Sequence, residues 1–329
     1  MPHVLVAGRI HEAGLDVLRA APGVTFELVD EVSVETYAPR IYGADALLIR
    51  TQPLAADIVA TAQRLRIVSR HGVGYDSIDV AALEARGIPL AIVGDVNGRT
   101  VAEHTLALML AFAKRIPAYD RATRDGSWGI RNSFSTSELW GKTLFLIGFG
   151  RIGRLVAGLA SAFGMRILAH DPFQAANAIA AAGAEPMATL AEGLRVADVV
   201  SLHVPKTGEA ALIGAAELRL MRPGAVLINA ARGGLVDEAA LADALEAGWL
   251  AGAALDVFAA EPPEAASRLL ASDRTVLSPH SAGLTGECAA RMGQVAARNI
   301  VDFFAGRLDP ALVVNRWSGA APIVTEDSP

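Results

Sequence analysis

Short apolar runs alternate with amphipathic stretches along most of the chain. Runs bounded by Gly, Pro, Asp or Ser read as buried strands, and the longer mixed stretches between them as helices. In the first part this predicts strands over residues 4–7, 25–29, 46–49, 66–69 and 89–92, with helices over 12–19, 55–63 and 78–85. Residues 97–115 predict a long helix whose Val101, Leu106, Leu108, Leu110 and Phe112 spread around the axis, so it should be buried on several sides. Pro117 is expected to close it. Residues 119–139 break the pattern, a polar excursion holding Gly126, Trp128 and Gly129, with Trp140 just after it. Long excursions are usually functional or interfacial. Alternation resumes from residue 142 to about 280, with strands over 143–147, 165–169, 197–202, 225–229, 252–255 and 275–277. One more long helix runs to about residue 305, and the tail 318–329 is expected to fray. The expectation is an α/β protein: two Rossmann/flavodoxin-like, doubly wound parallel-sheet lobes joined by two long helices.

Length and composition narrow the classes. A chain of 329 residues suggests two domains. At 52% hydrophobic and 19% charged it can bury sizeable cores. A net charge of −6 without a basic stripe argues against nucleic-acid and membrane-surface partners. Cys288 is the only cysteine, so an intrachain disulfide and paired-thiolate metal sites are excluded, and no metal is expected. The start of the chain reads as a first strand and not as a secretory signal, which with the cysteine count suggests a cytoplasmic protein.

The most telling local pattern is Gly148-Phe-Gly150-Arg151-Ile152-Gly153. It follows one apolar strand and opens a helix, and a second strand then leads to Asp171. That order is the context in which G-x-G-x-x-G reads as a dinucleotide turn. Gly148 permits the bend, Gly150 lets backbone approach a pyrophosphate, and Gly153 lets helix and strand pack closely. Asp171 would accept hydrogen bonds from both adenosine ribose hydroxyls and repel a 2′-phosphate. Residues 172–174, Pro-Phe-Gln, offer no arginine for such a phosphate, so NAD is the expected cofactor.

Ligands of parallel sheets bind beyond the carboxyl ends of the strands. There the second region presents Asn229-Ala230-Ala231-Arg232, Asp256 through Glu261, and His280 through Gly283. In the first region, Ser69-Arg70-His71-Gly72-Val73-Gly74 follows a strand, and its glycines could form a backbone nest for a carboxylate. Arg50 ends the preceding strand. Each residue also has a plain reading. Arg232 and Arg50 could be ion-paired surface groups, Glu261 a loop acid, His280 a helix cap, and the glycine loop an ordinary turn.

These motifs, with Thr100-Val-Ala-Glu103, fall in an order that resembles the D-2-hydroxyacid dehydrogenases, the short form of the phosphoglycerate and hydroxypyruvate reductase group. The resemblance covers nearly the whole chain. It implies a substrate domain of residues 1–96 and 287–329, interrupted by an NAD-binding domain of residues 97–286. It makes Arg232 the substrate-orienting cation, His280 the acid/base and Glu261 its partner. It places Thr100, Gly148, Gly150, Arg151, Ile152, Gly153, Asp171, His203, Val204, Pro205, Thr207, Asn229, Ala230, Ala231, Arg232, Asp256, His280 and Gly283 beside the cofactor. Arg50, His71, Gly72, Val73, Gly74, Arg232 and His280 would meet the substrate; His71 departs from the small residue common there. His3, His11, His104 and His170 lack such context and read as structural or exposed. The family is usually dimeric, with residues 119–140 as a candidate arm. No long regulatory extension follows the last helix, so feedback through one is not expected.

The implied activity is NAD-dependent interconversion of a small (R)-2-hydroxy acid and its 2-keto acid, of the glycerate/hydroxypyruvate, glyoxylate or 3-phosphoglycerate class. Two other readings share the scaffold. A formate dehydrogenase would carry Gln in place of Glu261. A nicotinamide-sensing co-regulator of the C-terminal-binding-protein type would need a peptide groove that the sequence does not display.

Overall fold

The computed structural model describes residues 1–31 and 33–317, so the expected fray of residues 318–329 lies outside the described residues. The chain divides into two compact units, Met1–Asn97 with Leu284–Pro329, and Gly98–Gly283. Each is built on one parallel sheet.

The first unit contains β1 (His3–Ala7), β2 (Thr25–Val29), β3 (Ala46–Ile49), β4 (Ile67–Arg70) and β5 (Leu90–Ala91), in the order β2-β1-β3-β4-β5. Alternate residues point to opposite faces, so continuous apolar strands mean that both faces are covered. Leu5, Leu47, Ile49 and Val68 pack with Tyr37 and Ile41 on one side. Val4, Val6, Leu48 and Ile67 pack on the other side with Met292, Ala296, Ile300 and Phe303 of the Gly286–Phe304 helix. That helix is tied to the sheet by buried polar bonds. The Ser69 hydroxyl donates to the Ala296 carbonyl at 2.8 Å, and the Asn299 amide to the Ile92 carbonyl at 3.0 Å. It also crosses the Glu12–Ala20 helix at a pair of glycines. A Cβ on Gly14 would come within 2.7 Å of the Gly293 backbone, so the close approach requires glycine.

The second unit contains β6 (Thr143–Ile147), β7 (Arg166–His170), β8 (Glu185–Pro186), β9 (Val199–Leu202), β10 (Val226–Asn229), β11 (Gly252–Leu255) and β12 (Thr275–Leu277). Their order, β12-β11-β10-β9-β6-β7-β8, is the doubly wound nucleotide-binding order with its reversal between β6 and β9. Leu144, Leu146 and Ile167 meet Val101, Leu106 and Met109 of the Gly98–Ala113 helix on one face. Phe145, Leu168, Val200 and Leu227 meet Leu194 and Leu218 on the other.

Two expectations need correction. Pro117 does not merely close the long helix. Arg115 adopts a left-handed conformation (φ 51°), which ends the helix at Ala113, and Pro117 then sits in the first turn of a new helix, Ile116–Arg124. Proline suits that position because its missing N–H has no helical partner there anyway. The excursion is thus a helix followed by a 3₁₀ segment, Trp128–Ser133. The edge strand β8 was not foreseen, because two residues, one of them proline, carry no alternation signal.

Candidate active site

In the second unit the glycine turn is enforced by contact. Gly148 has φ 94°, and a Cβ on it would lie 2.4 Å from the His203 carbonyl oxygen. A Cβ on Gly153 would lie 2.3 Å from the Gly148 oxygen. Above Gly150, which begins the Arg151–Ala162 helix, a Cβ would meet nothing within 4 Å. The turn is therefore packed on its underside and open at Gly150, the shape a pyrophosphate needs. Asp171 directly follows β7, its carboxylate accepting the Phe149 N–H at 2.8 Å and the Phe173 N–H at 2.9 Å. Arg154 reaches Gln174 at 2.9 Å, so the structure brings to this loop a cation that residues 172–174 lack in sequence.

His203 and Val204 wall the turn through the His203 carbonyl and the Val204 side chain. The His203 ring is bonded to Ser201 at 2.9 Å, and burial pushes its pKa down to about 4. The ring is therefore uncharged at neutral pH, and it is the backbone carbonyl of His203 that packs against Gly148. Pro205 and Thr207 continue the same loop after β9, with Thr207 exposed. Thr100 lies buried near the start of the Gly98–Ala113 helix.

The remaining candidates gather beyond the carboxyl ends of β10, β11 and β12. The buried Asn229 side chain folds its own turn, donating to the Arg232 carbonyl at 2.9 Å and accepting the Ala231 N–H at 3.0 Å. Ala230 is buried, and Arg232 donates to the Ala231 carbonyl at 2.7 Å. A Cβ on Gly233 would lie 1.7 Å from the Phe258 carbonyl, so the Arg232 turn rests directly on the segment leading to Glu261. Glu261 accepts the Phe258 N–H at 3.0 Å on one oxygen. Its other oxygen is 2.6 Å from His280 Nδ1. His280 is a half-exposed, left-handed residue (φ 50°). Glu261 is acceptor-only when ionised, so Nδ1 carries the proton of this bond and Nε2 remains for other chemistry. Gly283 closes the segment at the end of the unit.

Asp256 is the buried anchor of this edge. Burial alone would raise its pKa, but hydrogen bonds from His104, Ser278, and the Ser281 and Ala282 N–H groups outweigh it and hold the group low. His104, read from sequence as structural or exposed, belongs to this cluster. Only a fold-level contact across 174 residues of sequence reveals it.

In the first unit, Arg50, His71 and the glycine loop sit at the carboxyl ends of β3 and β4. Arg50 donates to the Arg9 carbonyl at 2.8 Å, and its burial lowers its pKa. His71 is buried, and neither ring nitrogen makes a hydrogen bond of normal geometry. Burial, then Arg50, then Arg70, push its pKa down to about 4. Arg70, not singled out from sequence, clasps the loop through the Gly74 carbonyl at 2.8 Å and the His71 carbonyl at 3.3 Å. Gly72 has φ 154° and Val73 packs into the neighbouring core. A cavity of about 520 Å³ in the second unit lies elsewhere. Val199, Val226 and Thr275, the first residues of β9, β10 and β12, line it, at the opposite sheet edge from Asp256 and His280.

Comparison with known proteins identifies the family. Residues 106–282 match the model of the D-isomer specific 2-hydroxyacid dehydrogenase NAD-binding domain. The chain is 40% identical over 95% of its length to a D-3-phosphoglycerate dehydrogenase of Mycobacterium bovis, of which it spans 59%. It is 38% identical to a glyoxylate reductase of Korarchaeum cryptofilum, covering 95% of this chain and 96% of that one. Among solved structures, D-lactate dehydrogenase of Aquifex aeolicus, complexed with NAD and lactic acid, superposes with a TM-score of 0.86. The identity is 27%, over 96% of this chain and 100% of that one. The chain therefore belongs to the D-isomer specific 2-hydroxyacid dehydrogenase family, and its second unit carries that family's NAD-binding domain. Among the described residues no helix is long and apolar enough to cross a membrane, and no cluster of candidate metal ligands occurs.

The buried histidines make a testable statement about stability. An unfolded histidine takes its proton near pH 6.5, whereas His71 in the fold takes it only near 4. Between these values the unfolded chain binds more protons, so stability falls as pH drops through the window. His203 contributes in the same direction. Urea midpoints measured from pH 6.5 to 4 should fall for the parent protein and fall less steeply for His71→Asn. Equal slopes would mean that His71 is not held neutral.

Proposed function

We propose that this protein is an NAD-dependent dehydrogenase interconverting a small (R)-2-hydroxy acid and its 2-keto acid, of the glycerate/hydroxypyruvate, glyoxylate or 3-phosphoglycerate class. The observation that carries the reading is the 2.6 Å contact of His280 with Glu261, at the same sheet edge as Arg232 and in the unit that holds the dinucleotide turn. Glu261 also argues against the formate dehydrogenase reading, which would have Gln there.

The residues present fit a dinucleotide. The packed underside of the 148–153 turn, its open Gly150 and the acid after β7 suit the pyrophosphate and the adenosine ribose. Thr100, the 203–207 loop, Asn229 to Arg232, Asp256 and Gly283 would complete the cradle. The bound nicotinamide supplies or accepts the hydride. This chain's own residues handle charge and protons. Arg232 offers a planar, permanently charged fork for the substrate carboxylate. In the first unit the Gly72 N–H is taken by the Arg70 carbonyl at 2.9 Å, so the backbone donors this loop would offer an anion are those of Val73 and Gly74. His280 Nε2 donates a proton to the ketone oxygen in reduction and accepts it in oxidation, while Glu261 holds Nδ1 protonated and balances the charge on the ring. Arg50 and His71 are assigned to a further polar group of the substrate.

Steady-state kinetics with a panel of 2-keto acids and NADH tests the reading, and absence of turnover on every member would overturn it. Replacing His280 by Ala should lower the rate by about 10²–10⁴-fold while NADH still binds. Arg232→Lys keeps charge but loses the fork, and with Glu261→Gln should cost on the order of 10–10²-fold, the worth of a charged hydrogen bond. Near-parental rates in any of the three remove that residue from the assignment.

Cofactor choice is tested separately. The parent protein should prefer NADH. Asp171→Ala should weaken NADH binding by about 10–10²-fold and narrow the gap to NADPH. A parent preference for NADPH would show that Asp171 does not read the ribose.

We also infer a cytoplasmic homodimer. Trp128, Phe134 and Trp140 are 64%, 88% and 76% exposed on or beside the excursion, three large apolar side chains that a second copy would cover. Sedimentation velocity should give a dimer, with Trp128→Ser shifting it toward monomer; a monomeric parent protein rejects the inference.

A further inference from the structure

Asp256 has no exposure to solvent, yet its carboxylate is held in the charged form by donors. Those donors come almost entirely from one short segment. The Ser278 hydroxyl lies 2.5 Å from Oδ1, the Ser281 N–H 2.9 Å from Oδ1, and the Ala282 N–H 2.9 Å from Oδ2. The Asp256 carbonyl also accepts the His280 N–H at 2.7 Å. His280 is thus gripped on both sides by one residue, in a left-handed conformation that a histidine does not adopt cheaply.

The hydroxyl of Ser278 has a single proton. At 2.5 Å from a carboxylate that can only accept, that proton points to Asp256. His104 Nε2 lies 3.0 Å from the same oxygen and 3.4 Å from Asp256 Oδ1. It must therefore be the donor: His104 Nε2–H points to Ser278 and, at longer range, to Asp256, while the Ser278 proton goes to Asp256, so the bonds run in one direction. This polarity also shows that the three residues are not a hydrolytic triad, since the imidazole gives a proton to the serine and cannot act as its base.

We propose that His104 is a positioning residue for the pair of His280 and Glu261, acting through Ser278 and Asp256. The inference rests on the dehydrogenase reading. His104 rides on the Gly98–Ala113 helix, which packs against β10, β11 and β12, the strands whose ends carry Arg232, Asp256 and His280. Its N–H fixes the Ser278 rotor, the rotor fixes one wall of the Asp256 cage, and the cage fixes the loop on which His280 stands. A loosened His280 departs from its place beside Glu261, and displacements of this kind cost rate without costing cofactor affinity.

The test uses His104→Leu, which removes the donor, and His104→Gln, whose amide N–H can replace it. Ser278→Ala is made alone and combined with His104→Leu. His104→Leu should lower kcat for keto-acid reduction about 10–10²-fold, with the Kd for NADH, read by protein fluorescence, within about twofold of the parent. His104→Gln should recover most of the rate. The double variant should be no slower than the slower single variant, because both act on one path. A second readout needs no turnover. The ¹³Cε1–¹H signal of His280, assigned by its loss in His280→Ala, should broaden or shift in His104→Leu and return in His104→Gln. The proposal is overturned if His104→Leu keeps its rate, if it loses NADH affinity along with rate, if Gln does not rescue, or if the His280 signal is the same in all variants. Should the parent protein reduce no 2-keto acid, the dehydrogenase reading fails, and the His280 signal alone still decides whether His104 positions it.

Discussion

The proposed site depends on one buried negative charge. Asp256 sits at the end of β11, so its backbone leads straight into the segment that bears Glu261, while its carboxylate binds the segment that bears His280. An uncompensated carboxylate in that position would be very costly, and this drives the 278–282 loop to wrap its N–H and O–H groups inward. The same interaction that satisfies the charge therefore brings two residues separated by 19 positions to 2.6 Å. The Arg232 turn is held against that segment by a different device, the absence of any side chain at Gly233.

Most of the sheet framework was legible because both sheets are parallel and buried on both faces, which leaves continuous apolar runs bounded by turn residues. Strands β2, β3, β6, β11 and β12 lie where the pattern predicts them. The glycine turn was legible because its three glycines have separate steric causes that the sequence order already implies. What was hidden has a common physical origin. β8 is two residues long and gives no period. The break at Arg115 is a backbone conformation without a glycine to announce it. His104 sits on a largely buried helix, where neither spacing nor composition separates a network member from an ordinary core neighbour. Its meaning arises only when β12 is laid beside β11 and Ser278 comes within reach.

The two units place their candidates by the same topological rule. In the second sheet the strand order reverses between β6 and β9, and there the 148–153 turn meets the His203 backbone. In the first sheet the order β2-β1-β3 makes the reversal fall between β1 and β3. Gly8, just past β1 with φ 90°, lies so close to Gln52 that a Cβ would be 2.9 Å from its amide nitrogen. Arg50, just past β3, bonds the Arg9 carbonyl across this point. Burial first, and then the Arg50 and Arg70 guanidinium groups, depress the protonation of His71. At neutral pH the imidazole is therefore uncharged, and the charge at this point comes from the guanidinium groups. Two guanidinium groups beside a neutral imidazole suit an anionic ligand, and this is the electrostatic ground for proposing that the first unit adds to the binding of an acid whose carboxylate Arg232 takes.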